Sequence, residues 1–458
     1  MERLSSGHAR LDEILQGGLP SNSINLIIGP PGTGKTILSQ QYVFHNATQE
    51  RPALYLSTVS EPFDKILRYG QALSFFDTTA IGQRVMYEDL GAVIVEQGLS
   101  GVLNTLDALM RRHRPGVIVI DSFKALRPYA ADEAEFRNFL HDLAGRLSAV
   151  ATSAFWIGEY DAGQIRDAAE FAVVDSVISL SMDMVSERDV RTLRVVKLRG
   201  SGFARGEHSY RITPEGLRVF PRLADRLDSS IYTLGTDRVS TGVPALDTLL
   251  GDGYWTGAAT LVCGPSGVGK TLMGLQFIVS GAAAGETGVF ATFEENRAQL
   301  DRAVRGFGWT LDREGVHVLD RAPVDIYIDE WVYELLDLVE SVGAKRVVVD
   351  SLSDLWLTVK DERHFREWAY SLTTHFLRSG VSLLMTLEVP ELFDPTRISQ
   401  HGVSQLSDNV LLLQYLREGD RLQRSLTVLK TRASLHGPVI TPFEITNEGI
   451  TLVKPPRA

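Results

Sequence analysis

Cysteine is almost missing from this chain. One of its 458 residues is a cysteine, Cys263. No disulfide can join two parts of one chain, and a four-cysteine zinc site is excluded. A lone cysteine suits a reducing compartment. Cys263 falls in an apolar run and reads as a small buried hydrophobe. Long apolar runs are missing as well. None reaches about 18 residues, and the N-terminus has no apolar core of signal-peptide type, so a cytoplasmic chain that does not span a membrane is expected. The third absence is a basic excess. The chain has 46 Lys and Arg against 57 Asp and Glu, a net charge of −11 and a pI near 5.5. Such a chain repels a phosphate backbone on average, so nucleic acid is not the default partner. Basic clusters such as Arg111 to Arg114 are short and read as a solvated helix end. What remains is ordinary globular composition, 44% hydrophobic and 22% charged, with length for two or three domains.

Two stretches organise the rest: GPPGTGKT, Gly29 to Thr36, and GPSGVGKT, Gly264 to Thr271. Both fit the phosphate-loop pattern. Each follows an apolar run that reads as a strand, Ile24 to Ile28 and Ala259 to Cys263, and precedes a helical run, Ile37 to Ala47 and Leu272 to Ala284. In such a loop the backbone N–H groups curl around phosphate oxygens at a helix N-terminus. The binding residues are then Gly29, Gly32, Thr33, Gly34, Lys35 and Thr36 in the first copy. In the second they are Gly264, Ser266, Gly267, Val268, Gly269, Lys270 and Thr271. Lys35 and Lys270 would reach the β- and γ-phosphates, and Thr36 and Thr271 would offer hydroxyls to Mg²⁺.

The two copies belong to a longer repeat. Leu4 to Asp12 matches Val239 to Asp247. Asp12 and Asp247 stand 235 residues apart, as do Lys35 and Lys270. A constant offset over some forty residues means duplication of a whole domain, not a solenoid. Both halves continue alike. Strands are expected at Ala53 to Ser57 and Gly288 to Thr292, then helices at Pro62 to Leu73 and Arg297 to Phe307. The runs Val117 to Asp121 and Arg346 to Asp350 read as central parallel strands ending in an aspartate. Asp121 and Asp350 are Walker B candidates that would hold Mg²⁺ through water. The first half closes with strands at Thr192 to Lys197, Ser209 to Thr213 and Leu217 to Phe220. The second closes with Leu426 to Lys430 and Phe443 to Val453. The fold class is α/β: two tandem phosphate-loop NTPase domains, 1–223 and 238–458, each a mainly parallel sheet flanked by helices. The polar residues 224–237 read as the linker.

Hydrolysis needs a group that orients or deprotonates water. Glu294 and Glu295 follow the second strand of the second half. The first half reads Val59-Ser60-Glu61 there and keeps one carboxylate. These acids are either catalytic or simply favoured by a helix N-terminus. Lys197-Leu198-Arg199 and Lys430-Thr431-Arg432 sit late in their halves. They are either phosphate partners, supplied to a neighbouring subunit, or surface salt bridges.

Together these features resemble the KaiC family of doubled RecA-like ATPases. The resemblance spans about residues 4 to 453. It is carried by Ser-Thr-Gly-x-x-x-Leu-Asp before the second phosphate loop and its counterpart before the first, Phe-Glu-Glu after the second strand, Lys-x-Arg near each domain's end, and Val403-Ser-Gln-Leu-Ser-Asp-Asn-Val-Leu-Leu-Leu-Gln-Tyr415. It implies two RecA-like domains, a double-ring homo-hexamer with ATP at subunit interfaces, and slow hydrolysis in the N-terminal ring. It also implies autokinase and autophosphatase activity on hydroxyl residues of the C-terminal ring. Glu294 then matches the catalytic glutamate. Lys197, Arg199, Lys430 and Arg432 match residues that reach a neighbour's nucleotide. Phe307 falls where an aromatic meets adenine, or is a core aromatic. A KaiB-like protein or another signalling protein is the partner it suggests. Three departures stand out. Ser60 replaces the first glutamate of the N-terminal pair. The phosphorylated pair reads Ser404-Gln405, leaving Ser404 as the acceptor with Ser407 nearby. The tail that clock members offer an activating partner is not expected.

The reading is an ATP- and Mg²⁺-dependent KaiC-like ATPase with serine autokinase activity at Ser404. Two alternatives belong to other classes. One is a DNA-dependent recombination ATPase of RecA/RadA type, which the acidic pI opposes. The other is a nucleotide-switched scaffold without turnover, which Ser60 suggests.

Overall fold

The computed structural model describes residues 2–58, 63–161, 164–185, 188–223, 235–322, 327–359, 362–391, 403–434 and 439–453. The chain divides into two compact units, Met1–Asp225 and Arg226–Ala458. Of the linker read from the sequence, 224–234 lie outside the described residues.

The N-terminal unit opens with a short antiparallel pair, β1 (Arg3–Leu4) and β2 (Leu19–Pro20). Its main strands are β3 (Ile24–Ile28), β4 (Ala53–Ser57), β5 (Val85–Asp89), β6 (Val117–Asp121), β7 (Ser153–Gly158), β8 (Ser176–Val185), β9 (Arg188–Leu198), β10 (His208–Thr213) and β11 (Gly216–Phe220). They form one sheet in the order β5-β4-β6-β7-β3-β8-β9-β10-β11. The strands from β5 to β8 are parallel and the last three pairings are antiparallel.

The C-terminal unit repeats this plan. After the pair β12 (Arg238–Val239) and β13 (Tyr254–Trp255) come β14 (Ala259–Gly264), β15 (Gly288–Thr292), β16 (Val316–Asp320), β17 (Arg346–Asp350), β18 (Ser382–Glu388), β19 (Asn409–Glu418), β20 (Arg421–Thr431), β21 (Ile440–Thr446) and β22 (Gly449–Leu452). Their order, β16-β15-β17-β18-β14-β19-β20-β21-β22, matches the first sheet strand for strand. The α/β class with two mainly parallel sheets stands as expected.

Central strands buried on both faces explain the apolar runs. In β4 every residue is buried, and the faces alternate. Leu54 and Leu56 join the core under the helices Gly91–His113 and Glu133–Ala149. Tyr55 points to the other core, with Leu38, Tyr42 and Val43 of the helix Lys35–Asn46. The helix that follows the first phosphate loop therefore lies on the face that Tyr55 shares.

Several bounds move. Both phosphate-loop helices begin at the lysine, two residues earlier than expected, because Gly34 and Gly269 cap them in the left-handed region. The helix read as Pro62 to Leu73 is described over Phe63–Gly70. A capping box between Asn296 and Gln299 starts Arg297–Arg305. Strands β9 and β20 run well beyond the predicted spans. The run Phe443 to Val453 is a hairpin and not one strand, since Gly449 turns it at a φ of 102°.

Candidate nucleotide sites

Each phosphate loop leaves the carboxyl end of a central strand, where α/β sheets bind ligands. Its first glycine is required by close packing. A Cβ on Gly29 would lie 2.3 Å from the Leu180 carbonyl oxygen, and one on Gly264 would lie 2.5 Å from that of Leu413. Thr33 is buried and its hydroxyl donates to the Pro30 carbonyl at 2.8 Å. Val268 is buried in its place. Gly32, Ser266 and Gly267 are exposed at the loop tips.

Lys35 Nζ donates to the Pro30 carbonyl at 2.8 Å, and Lys270 Nζ to that of Pro265 at 2.9 Å. Both ammoniums thus rest on the loop they serve. Burial lowers the pKa of each. Glu159 and Asp121 oppose this at Lys35, and Glu388, Asp350 and Glu294 oppose it at Lys270. Thr36 Oγ1 donates to Asp121 Oδ2 at 2.8 Å. Thr271 bonds Asp350 in the same way. A hydroxyl and a carboxylate beside a phosphate-binding lysine are hard oxygen donors that fit Mg²⁺, which takes its remaining ligands from water and phosphate. Among the described residues no cluster of three or more His, Cys, Asp or Glu could hold a metal alone. In the N-terminal unit a cleft of about 950 Å³ lies over the loop, with Asp121, Lys124, Glu159 and Tyr69 among its walls.

The loop beyond the Walker B strand separates the two sites. Asp121 and Asp350 stand 229 residues apart, as do Lys124 and Ser353, Ala125 and Asp354, and Glu159 and Glu388. In the N-terminal site Lys124 Nζ bonds the Glu159 carbonyl and, at 2.8 Å, Gln164 Oε1. Glu159 Oε1 lies 3.6 Å from Lys35. In the C-terminal site Asp354 accepts from Ser351 Oγ at 2.5 Å, and Ser353 Oγ accepts from the Glu388 amide at 3.1 Å. Glu294 is exposed, yet partial burial and then Asp354, Asp350 and Glu388 hold its carboxyl above the usual range. Glu295 is raised by burial and by Asp350. Its Oε2 is buried with no hydrogen-bond partner among the described residues. Glu61 and Ser60 lie outside the described residues.

The two Lys-x-Arg segments work inside their own units. Lys197 Nζ donates to the carbonyls of Phe171 and Val174 at 2.9 and 2.6 Å. Lys430 Nζ donates to those of Ser404 and Ser407 at 3.1 and 2.6 Å. Arg199 pairs with Asp175 at 3.7 Å and Arg432 with Asp408 at 3.5 Å, and both guanidiniums remain more than half exposed. Leu198 is buried. Ser404 is the second residue of the short helix Val403–Leu406, while Ser407 is fully buried. Phe307 is half-buried against Trp309, with ring centroids 5.2 Å apart. The structure therefore gathers the phosphate loops, Asp121, Asp350, Glu294 and Glu295 around the two sites. It ties Lys430 to the backbone of Ser404, beside its own sheet.

A sequence profile described as "ATPase: KaiC" matches residues 4–224 and again 239–457. The chain belongs to the KaiC family. The circadian clock protein KaiC3 of a Synechocystis strain is 29% identical over 476 residues, covering all of this chain and 93% of the relative. The circadian clock oscillator protein KaiC of a Picosynechococcus strain is 27% identical over 96% of this chain and 88% of the relative. That of a Prochlorococcus marinus strain is 28% identical over 98% and 92%. As a KaiC-family ATPase the chain binds nucleotide. No helix among the described residues is long and apolar enough to cross a membrane.

Sequence reading missed Tyr55, Lys124, Glu159, Thr386 and Glu388. Tyr55 and Thr386 each donate a hydroxyl to a Walker B carboxylate. Applying the 229-residue offset would have found the glutamates.

Proposed function

We propose that each unit binds one Mg-ATP and that the C-terminal unit is the main site of turnover. The observation that carries this is the duplicated set of lysine, threonine and aspartate, joined in the C-terminal unit by Glu294, Glu295 and Asp354. Lys270 and the loop amides hold the phosphates in line. Thr271 and Asp350 would hold Mg²⁺, which would supply charge neutralisation on the phosphates. Glu294 takes a proton from water as the water oxygen bonds the γ-phosphorus and the bond to the bridging oxygen breaks, releasing ADP and phosphate. In the kinase reaction the Ser404 hydroxyl takes the place of that water, using a neighbouring subunit's ATP. Water attack on the phosphoserine reverses the modification.

The same reading takes the active form to be a cytoplasmic homo-hexamer with nucleotide between subunits. Residues 224–237 are its linker, and a KaiB-like or other signalling protein is its partner. Exposed Arg199 and Arg432 support a role across that interface; Lys197 and Lys430 support it by fixing the segments that carry the arginines. Phe307 is assigned to the adenine. In the N-terminal unit, Lys124 and Ala125 in place of Ser353 and Asp354 favour a second reading, a site that retains nucleotide with little turnover.

Counting bound nucleotide per chain tests the assignment. Wild type is expected to hold two, and Lys35→Ala or Lys270→Ala one each. Full stoichiometry in either variant overturns that site. Single-stranded DNA is expected to leave the ATPase rate unchanged, and strong stimulation would favour the recombination reading.

A further inference from the structure

The Walker B aspartate of each unit accepts a hydroxyl that the nucleotide motifs do not contain. In the N-terminal unit the donor is Tyr55, whose OH lies 2.7 Å from Asp121 Oδ2, the oxygen that also accepts from Thr36. In the C-terminal unit the donor is Thr386, bonded to Asp350 Oδ1. Tyr55 and Thr386 are both fully buried.

The two donors come from opposite sides. Strand β6 lies between β4 and β7, and its counterpart β17 lies between β15 and β18. Tyr55 stands on β4, two residues before Ser57, the cross-strand partner of Asp121. Phe290 holds that place on β15, two residues before Thr292, the partner of Asp350. Ile157 on β7 is the partner of Asp121 on the other side. Thr386 holds that place on β18, one residue past Met385, the partner of Val349. One unit has Tyr and Ile; the other has Phe and Thr. A hydroxyl missing on one flank is present on the other. A second exchange accompanies the first. Ser39 bonds the Tyr55 side chain, whereas Gly274 stands at the matching place beside Phe290, where a Cβ would lie 3.1 Å from that ring and 2.8 Å from Val348.

We infer that Tyr55 and Thr386 are equivalent positioning residues, each fixing the carboxylate that faces Mg²⁺ in its own unit. The inference rests on the reading of both units as Mg-nucleotide sites. A carboxylate with a second anchoring hydroxyl keeps its orientation before the cation arrives, so less order is lost on binding. Outer-shell partners of this kind change metal affinity by about 10- to 100-fold.

The test uses full-length Lys270→Ala protein, which leaves the N-terminal site. Binding of a fluorescent ATP analogue is followed as free Mg²⁺ is raised. Tyr55→Phe is expected to raise the Mg²⁺ concentration at half-saturation about tenfold. Adding Ile157→Thr puts a hydroxyl on the other flank and is expected to bring that midpoint back to within about threefold of the parent. Thr386→Val in a Lys35→Ala background is expected to shift the C-terminal site in the same way. Thermal melts without nucleotide separate the roles, since a purely structural hydroxyl would move the melt and not the Mg²⁺ midpoint. An unmoved midpoint in Tyr55→Phe, or a shift that Ile157→Thr fails to reverse, overturns the inference alone. If the Lys270→Ala parent binds no nucleotide at all, the site reading fails and the inference fails with it.

Discussion

Replacing Glu294 by Gln removes the base assigned to the C-terminal site and keeps its size. General-base catalysis contributes about 10²- to 10⁴-fold, or about 3–5 kcal/mol of barrier. Total ATPase is therefore expected to fall by at least about tenfold, with the remainder coming from the N-terminal site. Measuring the variant in a Lys35→Ala background removes that remainder and exposes the full loss. The charge around Glu294 adds a pH signature. Partial burial, Asp354, Asp350 and Glu388 raise its pKa, so as pH falls the base is protonated sooner than an ordinary glutamate. The acid limb of the rate profile should lie above the usual carboxylate range. Asp354→Asn removes one of those charges while retaining an acceptor for Ser351, so Glu294 stays ionised to lower pH and the limb should move down. Phosphate release measured from pH 4 to 8 reads both effects. A Glu294→Gln variant with more than half of the parent's C-terminal rate, or an acid limb unmoved by Asp354→Asn, refutes the assignment.

Two further expectations test the modification and the fold. Labelled ATP should transfer phosphate to wild type and not to Ser404→Ala; equal labelling of both would reject Ser404. Arg346 is 2% exposed and binds Glu286 at 2.6 Å, the carbonyls of Ser240 and Phe277 at 2.8 and 2.9 Å, and the Phe277 ring face. Arg346→Met leaves these acceptors in place, at a cost of about 3–5 kcal/mol. For a unit of this size that lowers the melting transition by about 10 °C. Val117 holds the matching register in the N-terminal unit, so calorimetry should show only the C-terminal transition move.

Local features were legible in the sequence, and features that depend on lateral neighbours were not. The phosphate loops and the strands around them carry their own signature of glycines and apolar runs. The duplication then fixed the order of elements in both units. The polar half of β20, from Arg421, was not read as strand because it is exposed and lacks the apolar run of Leu426–Val428. Asn447-Glu448-Gly449 carries a turn signal, which the strand-forming residues on either side of it mask. Type and place alone leave Lys430 between a phosphate partner and a surface salt bridge. Its bonds to Ser404 and Ser407 depend on where a short helix lands, more than twenty residues earlier in the chain.

The pattern of divergence follows from what each position must do. A phosphate loop binds through its backbone, so its glycines, lysine and threonine recur at a fixed offset. The Walker B aspartate needs an orienting hydroxyl, but it is indifferent to the flank that supplies one. Tyr55 and Thr386 can therefore differ in type and strand while leaving the aspartate in place. Net charge is less constrained. Lys124 gives the N-terminal site a second ammonium beside Lys35, whereas Asp354 adds to the carboxylates already around Lys270. Like charges close together raise the need for a counter-ion and hold a glutamate poised to accept a proton. An extra ammonium does the reverse, stabilising a bound polyphosphate. On the proposed reading, two sites built on one backbone are set apart, one toward turnover and one toward retention, by the carboxylates after β15 and by the loop after the Walker B strand.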